Sequence, residues 1–222
     1  MCGRFTLHHS MDQIVERFAV EDPGLPLEPR YNIAPSQPLT LALHNNRRRL
    51  DIAHWGLVPF WAKDPKMGRR MINARAETLA EKPAFKGALK YRRCLIPASG
   101  YYEWQTQGEE RVPTYIRPGD AGLLAMAGLW EEWSAPEGET LRTCTIVTTQ
   151  ANAFTAPIHH RMPLLLTPAQ EAVWLDPQRQ NPADLAALLT SKSELPLVSH
   201  SVSKQVNIPT FDDPSCIEPL AA

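Results

Sequence analysis

Apolar residues near the N-terminus recur at helical spacing. One face of this segment carries Met11, Ile14, Val15 and Phe18. Ser10 precedes them and is a suitable N-cap, so the pattern predicts a helix across residues 10–20. The next nine residues, 21–29, contain three prolines and one glycine, and this composition predicts a turn-rich loop.

A second helical pattern lies in the last quarter of the chain. Thr167 followed by Pro168 is typical of an N-cap and first helical position, and the helix is predicted to run to about Leu175. A further helix is predicted from Pro182 to about Thr190.

Strand-like runs fill most of the chain between these helices. We predict strands at 38–44 and 50–56, on either side of the polar turn HNNRRR, and at 94–104, 112–117, 123–130, 141–149 and 198–202. Because the strands are short and adjacent in sequence, they favour a mainly antiparallel, β-barrel-like sheet with peripheral helices over alternating βαβ units. The predicted fold class is therefore α+β.

Composition restricts the class of protein further. No apolar run reaches the ~18 residues of a membrane span, and the N-terminus has no apolar stretch of signal-peptide length. We therefore expect a cytoplasmic protein, nucleoid-associated in a bacterium. The four cysteines lie far apart without a C-x-x-C pair, which argues against a zinc site or a disulfide framework.

Charge is divided unevenly along the chain. The formal net charge is −1, but residues 1–118 carry a net +6 and residues 119–222 a net −7. A basic half is compatible with phosphate binding, although the two halves could equally pair with each other.

Cys2 is the first candidate for chemistry. Aminopeptidases usually remove Met1 when residue 2 is small, which leaves an α-amine and a thiol on one residue. An α-amine titrates at about pH 8, well below a lysine, so a useful fraction is neutral and can attack an aldehyde. The thiol can then close a five-membered thiazolidine, a ring closure favoured by its intramolecular geometry. A frayed terminus without function is the alternative.

Three further segments contain polar groups suited to acid/base chemistry. Asn73 can donate and accept a hydrogen bond, and Arg75 would share its face in an extended segment. Glu103 lies among aromatic residues, where a carboxyl group has a raised pKa; an exposed strand end is the alternative. His159 and His160 are candidate acid/base groups, but neighbouring residues of an extended chain point to opposite faces and suit a metal poorly.

Aromatic and basic residues alternate at residues 55–66. Phe60 and Trp61 lie beside Lys63 and Lys66, the combination that binds single-stranded nucleic acid by stacking and phosphate contact. Two core aromatics at the end of a strand are an equally simple interpretation.

Six short motifs, weak singly, occur in a specific order. They are MCGRF at the N-terminus, RYNIAP at 30–35, WGLVPFW at 55–61, INARAE at 72–77, SGYYEW at 99–104 and IHHRMP at 158–163. Together they resemble the SRAP family, the SOS-response-associated peptidase domains also called abasic site processing proteins. The resemblance spans residues 2 to about 210.

This resemblance implies a function and a set of site residues. It implies a single domain over residues 1–222, with a C-terminal tail after about 210. It also implies that the protein senses abasic sites in single-stranded DNA and crosslinks to them, which shields the lesion during the DNA damage response. The catalytic residues that it implies are Cys2, Asn73, Glu103 and His159; the DNA-binding residues are Arg4, Pro35, Trp61, Arg75 and Arg161. We expect no metal, no cofactor and a monomer without an obligate protein partner.

One segment departs from the family pattern. Some members carry a second aromatic after the position of Trp61, whereas this chain has Ala62, followed by DPKMGRR before the INAR motif. Stacking by this loop is therefore weaker, while its lysines and arginines offer further phosphate contacts.

Other functions remain open from the residues alone. Cys2, Glu103 and His159 would also suit a thiol peptidase or autopeptidase. An abasic-site lyase would share the imine formed by the Cys2 amine. A non-catalytic DNA-binding module would need the basic half and the aromatics but not Cys2.

Overall fold

A computed structural model describes residues 2–22, 24, 27–45, 47–135, 138–191 and 193–220, with the backbone alone at 43–45 and 47. Its strands are β1 (Arg4–Leu7), β2 (Arg30–Ile33), β3 (Pro38–Asn45), β4 (Arg47–Trp55), β5 (Asn73–Arg75), β6 (Arg93–Ala98), β7 (Gly100–Gln107), β8 (Glu110–Pro118), β9 (Leu124–Ser134), β10 (Thr140–Gln150), β11 (Arg161–Pro163) and β12 (Leu197–Ser201). Its α-helices are α1 (Met11–Phe18), α2 (Pro83–Tyr91), α3 (Pro168–Leu175) and α4 (Ala186–Leu189).

Five strands close into a barrel in the order β10-β4-β3-β6-β9, because β9 pairs back onto β10. Each neighbouring pair is antiparallel except β10 with β4. Beyond the closed ring, β5 extends the β4 side of β10 in a parallel pairing, and β11 pairs antiparallel with β10. The structure therefore confirms the predicted α+β fold with a mainly antiparallel barrel-like core.

A second, open sheet carries the N-terminus. Its strand order is β12-β8-β7-β1-β2, and its pairings are all antiparallel. β1 is thus an inner strand although it begins at the fourth residue. Its Phe5 is buried and meets Trp55 of the barrel edge-on, with the ring centroids 5.3 Å apart. This contact anchors the N-terminal strand against the barrel.

The caps predicted from sequence are present. Ser10 and Gln13 form a capping box at the start of α1, and Thr167 and Gln170 form another at the start of α3. Each box satisfies backbone groups that a helix end leaves without partners. Both helices therefore begin where the sequence predicted.

Four predicted elements differ from the structure, two of them the strands of one hairpin. The prediction of a single strand at 94–104 is wrong. The strand is interrupted at Ser99, so that β6 belongs to the barrel and β7 to the second sheet. The start of β7 requires a glycine at position 100, because a Cβ there would lie 2.5 Å from the Tyr115 hydroxyl. The helix at 182–190 is a 3₁₀ turn followed by the short α4. The two hairpin strands extend further into the predicted turn than expected: β3 ends at residue 45 and β4 begins at residue 47.

Sequence periodicity did not identify several elements, namely α2 and the short strands β1, β2, β5 and β11. Four of these have only three or four residues, too few to show a period. In the predicted loop at 21–29, residues 23, 25 and 26 lie outside the described part.

The segment predicted as a C-terminal tail packs onto the second sheet. The Asp212 carboxylate accepts hydrogen bonds from the backbone N–H groups of Tyr31 and Asn32, at 2.5 and 3.0 Å. Cys216 is fully buried. These residues therefore pack against the second sheet, where they brace β2, the strand next to β1.

Candidate active site

Cys2 lies at the start of β1, fully buried. The Asn73 side chain reaches it from β5, and its Nδ2 donates a 2.7 Å hydrogen bond to the Cys2 carbonyl oxygen. The Asn73 Oδ1 is also buried and accepts no hydrogen bond in the described structure. Asn73 thus holds Cys2 by its backbone and keeps an acceptor available.

Glu103 lies on β7, the neighbour of β1. The register pairs Arg4 with Tyr102 and Phe5 with Tyr101, which places Glu103 beside the residues that lead to Cys2. Only 2% of Glu103 is exposed, so the alternative of an exposed carboxylate at a strand end is wrong. Burial raises the Glu103 pKa to about 7, so near neutrality the group can both give and take a proton.

The Cys2 thiol is held in its neutral form. Burial raises its pKa far above the ordinary range, and the nearby Glu103 carboxylate raises it further. A thiol in this setting is a poor free nucleophile, because the thiolate is the reactive species. The arrangement is better suited to a thiol that acts after another group has reacted.

Tyr101 shares the same face of β7 with Glu103, two residues away. It is fully buried, and its hydroxyl forms no hydrogen bond in the described structure. Tyr101 is not among the site residues predicted from the sequence, although its alternation with Glu103 is visible there.

His159 is half-buried, in the irregular segment between the turns at 153–158 and β11. Its Nδ1 accepts a 3.0 Å hydrogen bond from the Arg161 backbone N–H, and burial lowers its pKa. The expectation that His159 and His160 point to opposite faces is wrong. Their rings stack with centroids 4.3 Å apart, because the chain here is turned and not extended.

Two of the three predicted phosphate-binding arginines already have protein partners. Arg4 donates to the Asn32 Oδ1 at 3.0 Å and to the carbonyl oxygens of Val206 and Asn207. Its side chain therefore ties β1 to the C-terminal segment.

Arg161 is 8% exposed and forms a two-pronged ion pair with Glu77, at 2.6 and 3.0 Å. The Arg75 side chain is exposed and forms no hydrogen bond or ion pair with a described residue, while its backbone lies in the pairing of β5 with β10. Both arginines line a cavity of about 500 Å³ with His160. Its positive charge suits a phosphate, and Arg75 is the cation most accessible to one. No sequence signal identified Glu77 as a partner of Arg161.

The aromatic pair predicted for DNA contact lies on the surface. Phe60 is 65% exposed and Trp61 48% exposed, so the core interpretation is wrong for both. Ala62 is buried instead, and its carbonyl oxygen accepts a hydrogen bond from the Trp133 indole at 2.7 Å. Pro35 is half-buried in the turn after β2.

Beside this loop, a cleft of about 260 Å³ is lined by Lys66, Arg69 and His54 among others. It gives the predicted basic stretch at 63–70 a concave surface with positive charge.

The described residues contain neither a cluster of metal-ligating side chains nor a membrane-spanning helix. Within the described ranges, no three or more His, Cys, Asp or Glu residues are grouped as they would be around a metal ion. Across the same ranges, no helix has the length and apolar character needed to cross a membrane.

The sequence profile of the SOS response associated peptidase (SRAP) family matches residues 1–209. The chain belongs to this family. The "Abasic site processing protein YoqW" of Bacillus subtilis (strain 168) is 44% identical over 222 residues, covering 98% of this chain and 99% of that protein. The "Abasic site processing protein HMCES" of Gallus gallus is 35% identical and covers 86% of this chain and 66% of that protein. The resemblance to the SRAP family that the six sequence motifs indicated is therefore confirmed.

The fold is also shared with solved structures. A crystal structure of a protein from Bacteroides thetaiotaomicron superposes with a TM-score of 0.87 at 26% identity, covering 99% of this chain and all of that one. The barrel and the second sheet are therefore an architecture common to this protein and that solved structure.

Proposed function

We propose that this SRAP protein processes abasic sites in single-stranded DNA by bonding to them covalently through Cys2. The observation that carries the proposal is the geometry at the N-terminus, where Asn73 holds the Cys2 carbonyl at 2.7 Å beside a buried carboxyl group. Relatives named abasic site processing proteins support the choice of substrate. The stable adduct would shield the lesion during the DNA damage response.

The reaction requires the α-amine that Met1 removal exposes. The amine nitrogen attacks the C1′ aldehyde of the ring-opened sugar and forms a carbinolamine. Loss of water gives the imine, and the thiol sulfur then adds to the same carbon while its proton passes to the nitrogen. The product is a thiazolidine, and the balance is one water released, without oxidant or reductant.

Glu103 and His159 would move the protons. Glu103, with its pKa near 7, can take a proton from the Cys2 ammonium and return one to the departing oxygen. His159 has a lowered pKa and would exchange protons during imine formation and its reversal. Asn73 would orient the terminus through the carbonyl hydrogen bond.

The DNA strand would follow the basic and aromatic surface around this site. Arg75 is the most available phosphate contact, and Trp61 is exposed for stacking, with Pro35 shaping the surface. Arg161 would contribute its charge while paired with Glu77. Arg4 would act mainly by holding β1 in place.

Incubation with a single-stranded oligonucleotide carrying one abasic site tests the proposal. Wild type should give an adduct that survives a denaturing gel without reduction, and intact mass should show Met1 absent. Cys2→Ala should give no thiazolidine. Cys2→Ser keeps the amine but loses the thiol, so its adduct should be stable only after borohydride trapping. A borohydride-independent adduct at the wild-type level from Cys2→Ala would disprove the proposal.

The peptidase alternative receives less support from the site. A thiol protease needs a lowered thiol pKa, whereas burial and Glu103 raise the pKa of Cys2. The lyase alternative shares the imine and can coexist with crosslinking. Strand cleavage by Cys2→Ser, without a stable adduct, would reveal it.

A further inference from the structure

Two polar atoms near Cys2 are buried without a partner among the described residues. One is the Tyr101 hydroxyl and the other is the Asn73 Oδ1. A buried polar group without a hydrogen bond destabilises a folded protein, so such groups are uncommon and call for an explanation. Two of them near one candidate nucleophile offer hydrogen-bonding capacity that a substrate bonded to Cys2 could use.

The position of Tyr101 is determined by the sheet. Tyr101 pairs with Phe5 across β1 and β7, and strand alternation places its side chain on the same face as Glu103. The neighbouring Tyr102 points to the other face, where its hydroxyl donates a 2.7 Å hydrogen bond to the Tyr31 carbonyl oxygen. The two hydroxyl groups therefore differ: that of Tyr102 has a hydrogen-bond acceptor, and that of Tyr101 has none among the described residues.

The electrostatics agree with this placement. Burial raises the pKa of Tyr101 well above its ordinary value, and the nearby Cys2 and Glu103 raise it further. The hydroxyl therefore stays protonated throughout the working pH range. It is a permanent hydrogen-bond donor within electrostatic reach of both groups.

We propose that Tyr101 is a further catalytic residue, whose hydroxyl donates a hydrogen bond to the aldehyde oxygen of the substrate at Cys2. When the amine attacks C1′, the electron pair of the C=O bond moves onto this oxygen. Tyr101 stabilises the developing negative charge without giving up its proton. Glu103 then carries two protons, one after the other, from the attacking nitrogen to this oxygen, which leaves as water and gives the neutral imine. A donor already fixed in a buried site is more effective than water, because it needs no reorientation.

This inference rests on the proposed function and deepens it. If wild type forms no adduct with abasic DNA, the proposed function fails. If wild type forms the adduct and Tyr101→Phe forms it equally fast, only the role of Tyr101 fails. The two failures are therefore distinguishable in one experiment.

The test compares Tyr101→Phe with Tyr102→Phe, adjacent changes that each remove one hydroxyl and keep the ring. Single-turnover crosslinking of Tyr101→Phe should be slower by about 100-fold. Reversal should slow by the same factor, because both directions cross the same barrier, so the final yield stays the same. Binding to an intact strand should not change, and Tyr102→Phe should crosslink at the wild-type rate.

Thermal melting separates catalysis from structure. Tyr101→Phe removes a hydroxyl without a partner, so its melting temperature should equal or exceed that of wild type. Tyr102→Phe loses a made hydrogen bond and should melt lower. A Tyr101→Phe rate within twofold of wild type, equal slowing in both variants, or a lower melting temperature for Tyr101→Phe would each overturn the proposal.

Discussion

Glu103 shows how one residue acquires a function from its surroundings. The same carboxyl group in water would be ionised at neutral pH and useless as an acid. At 2% exposure, its charged form is disfavoured and its pKa rises to about 7. A proton donor and acceptor at neutral pH therefore results from burial on β7 and not from residue type.

The Glu103 carboxyl should make stability depend on pH. Its folded pKa of about 7 exceeds the ordinary 4.5, so the folded state binds this proton more tightly than the unfolded state does. Stability is lost as the pH rises through this window, by about 3 kcal/mol in total. Glu103→Gln should therefore match wild type at pH 4 and be more stable by about that amount at pH 8, as measured by urea unfolding.

The same variant should crosslink slowly. Loss of a general acid/base slows such reactions by about 100-fold or more. Glu103→Gln should also lose the step in the pH–rate profile near pH 7 that belongs to the carboxyl group and keep the one that belongs to the α-amine, which would distinguish proton transfer from simple positioning. Equal stability differences at pH 4 and pH 8 would contradict the assignment.

At the scale of elements, the loop that carries Trp61 depends on two glycines. Gly56 adopts φ +132°, and a Cβ there would lie 2.6 Å from the Gly68 carbonyl oxygen. A Cβ at Gly68 would lie 2.4 Å from the Gly56 carbonyl oxygen. The two backbones are therefore in direct contact, and they brace the segment between them against the end of β4.

Gly56→Ala should disrupt this segment. The backbone strain of an alanine at this φ and its clash with the Gly68 carbonyl oxygen should together reduce the free energy of unfolding by about 3 kcal/mol. The expected reduction for Gly108→Ala is about 1 kcal/mol. Gly108 is the matched control because it has φ +62° with no atom within 4 Å of its Cβ position. Urea unfolding and the affinity for intact single-stranded DNA are the measurements. Similar losses in both variants would show that the backbone contact contributes little.

At the scale of the whole molecule, the two ends of the chain are joined beside the site. Asn32 is fully buried, and its Nδ2 donates to the carbonyl oxygens of Val206, Ile208 and Phe211. Its Oδ1 accepts from Arg4, on the strand that carries Cys2. The C-terminal segment therefore supports the geometry of the N-terminus.

Asn32→Ala should uncouple the two ends. It removes the three hydrogen bonds that Asn32 donates to carbonyl oxygens and the one that it accepts from Arg4, so we expect a loss of about 3 kcal/mol in the free energy of unfolding. Asn181→Ala removes only an exposed helix cap and should lose about 1 kcal/mol. Limited proteolysis should cut Asn32→Ala first within 204–213, and crosslinking should slow. A variant as resistant as wild type would show that the ends are held independently.

Local pattern was sufficient for much of this protein. Caps at Ser10 and Thr167 and the longer strands were predicted because the forces that define them act over a few residues. The reactions available to Cys2, which would carry an α-amine and a thiol on one residue, also followed from its position in the chain. The ordered motifs identified the family, which the match over residues 1–209 confirms.

Tertiary structure alone decided what surrounds Cys2. Asn73 and Glu103 meet it through strand pairings between distant segments, and such pairings leave no trace in local periodicity. The partners of Arg4 and the unpartnered hydroxyl of Tyr101 likewise depend on which strands become neighbours. The physical reason is that burial and hydrogen bonding are properties of the packed molecule, whereas the sequence by itself specifies only which groups are available.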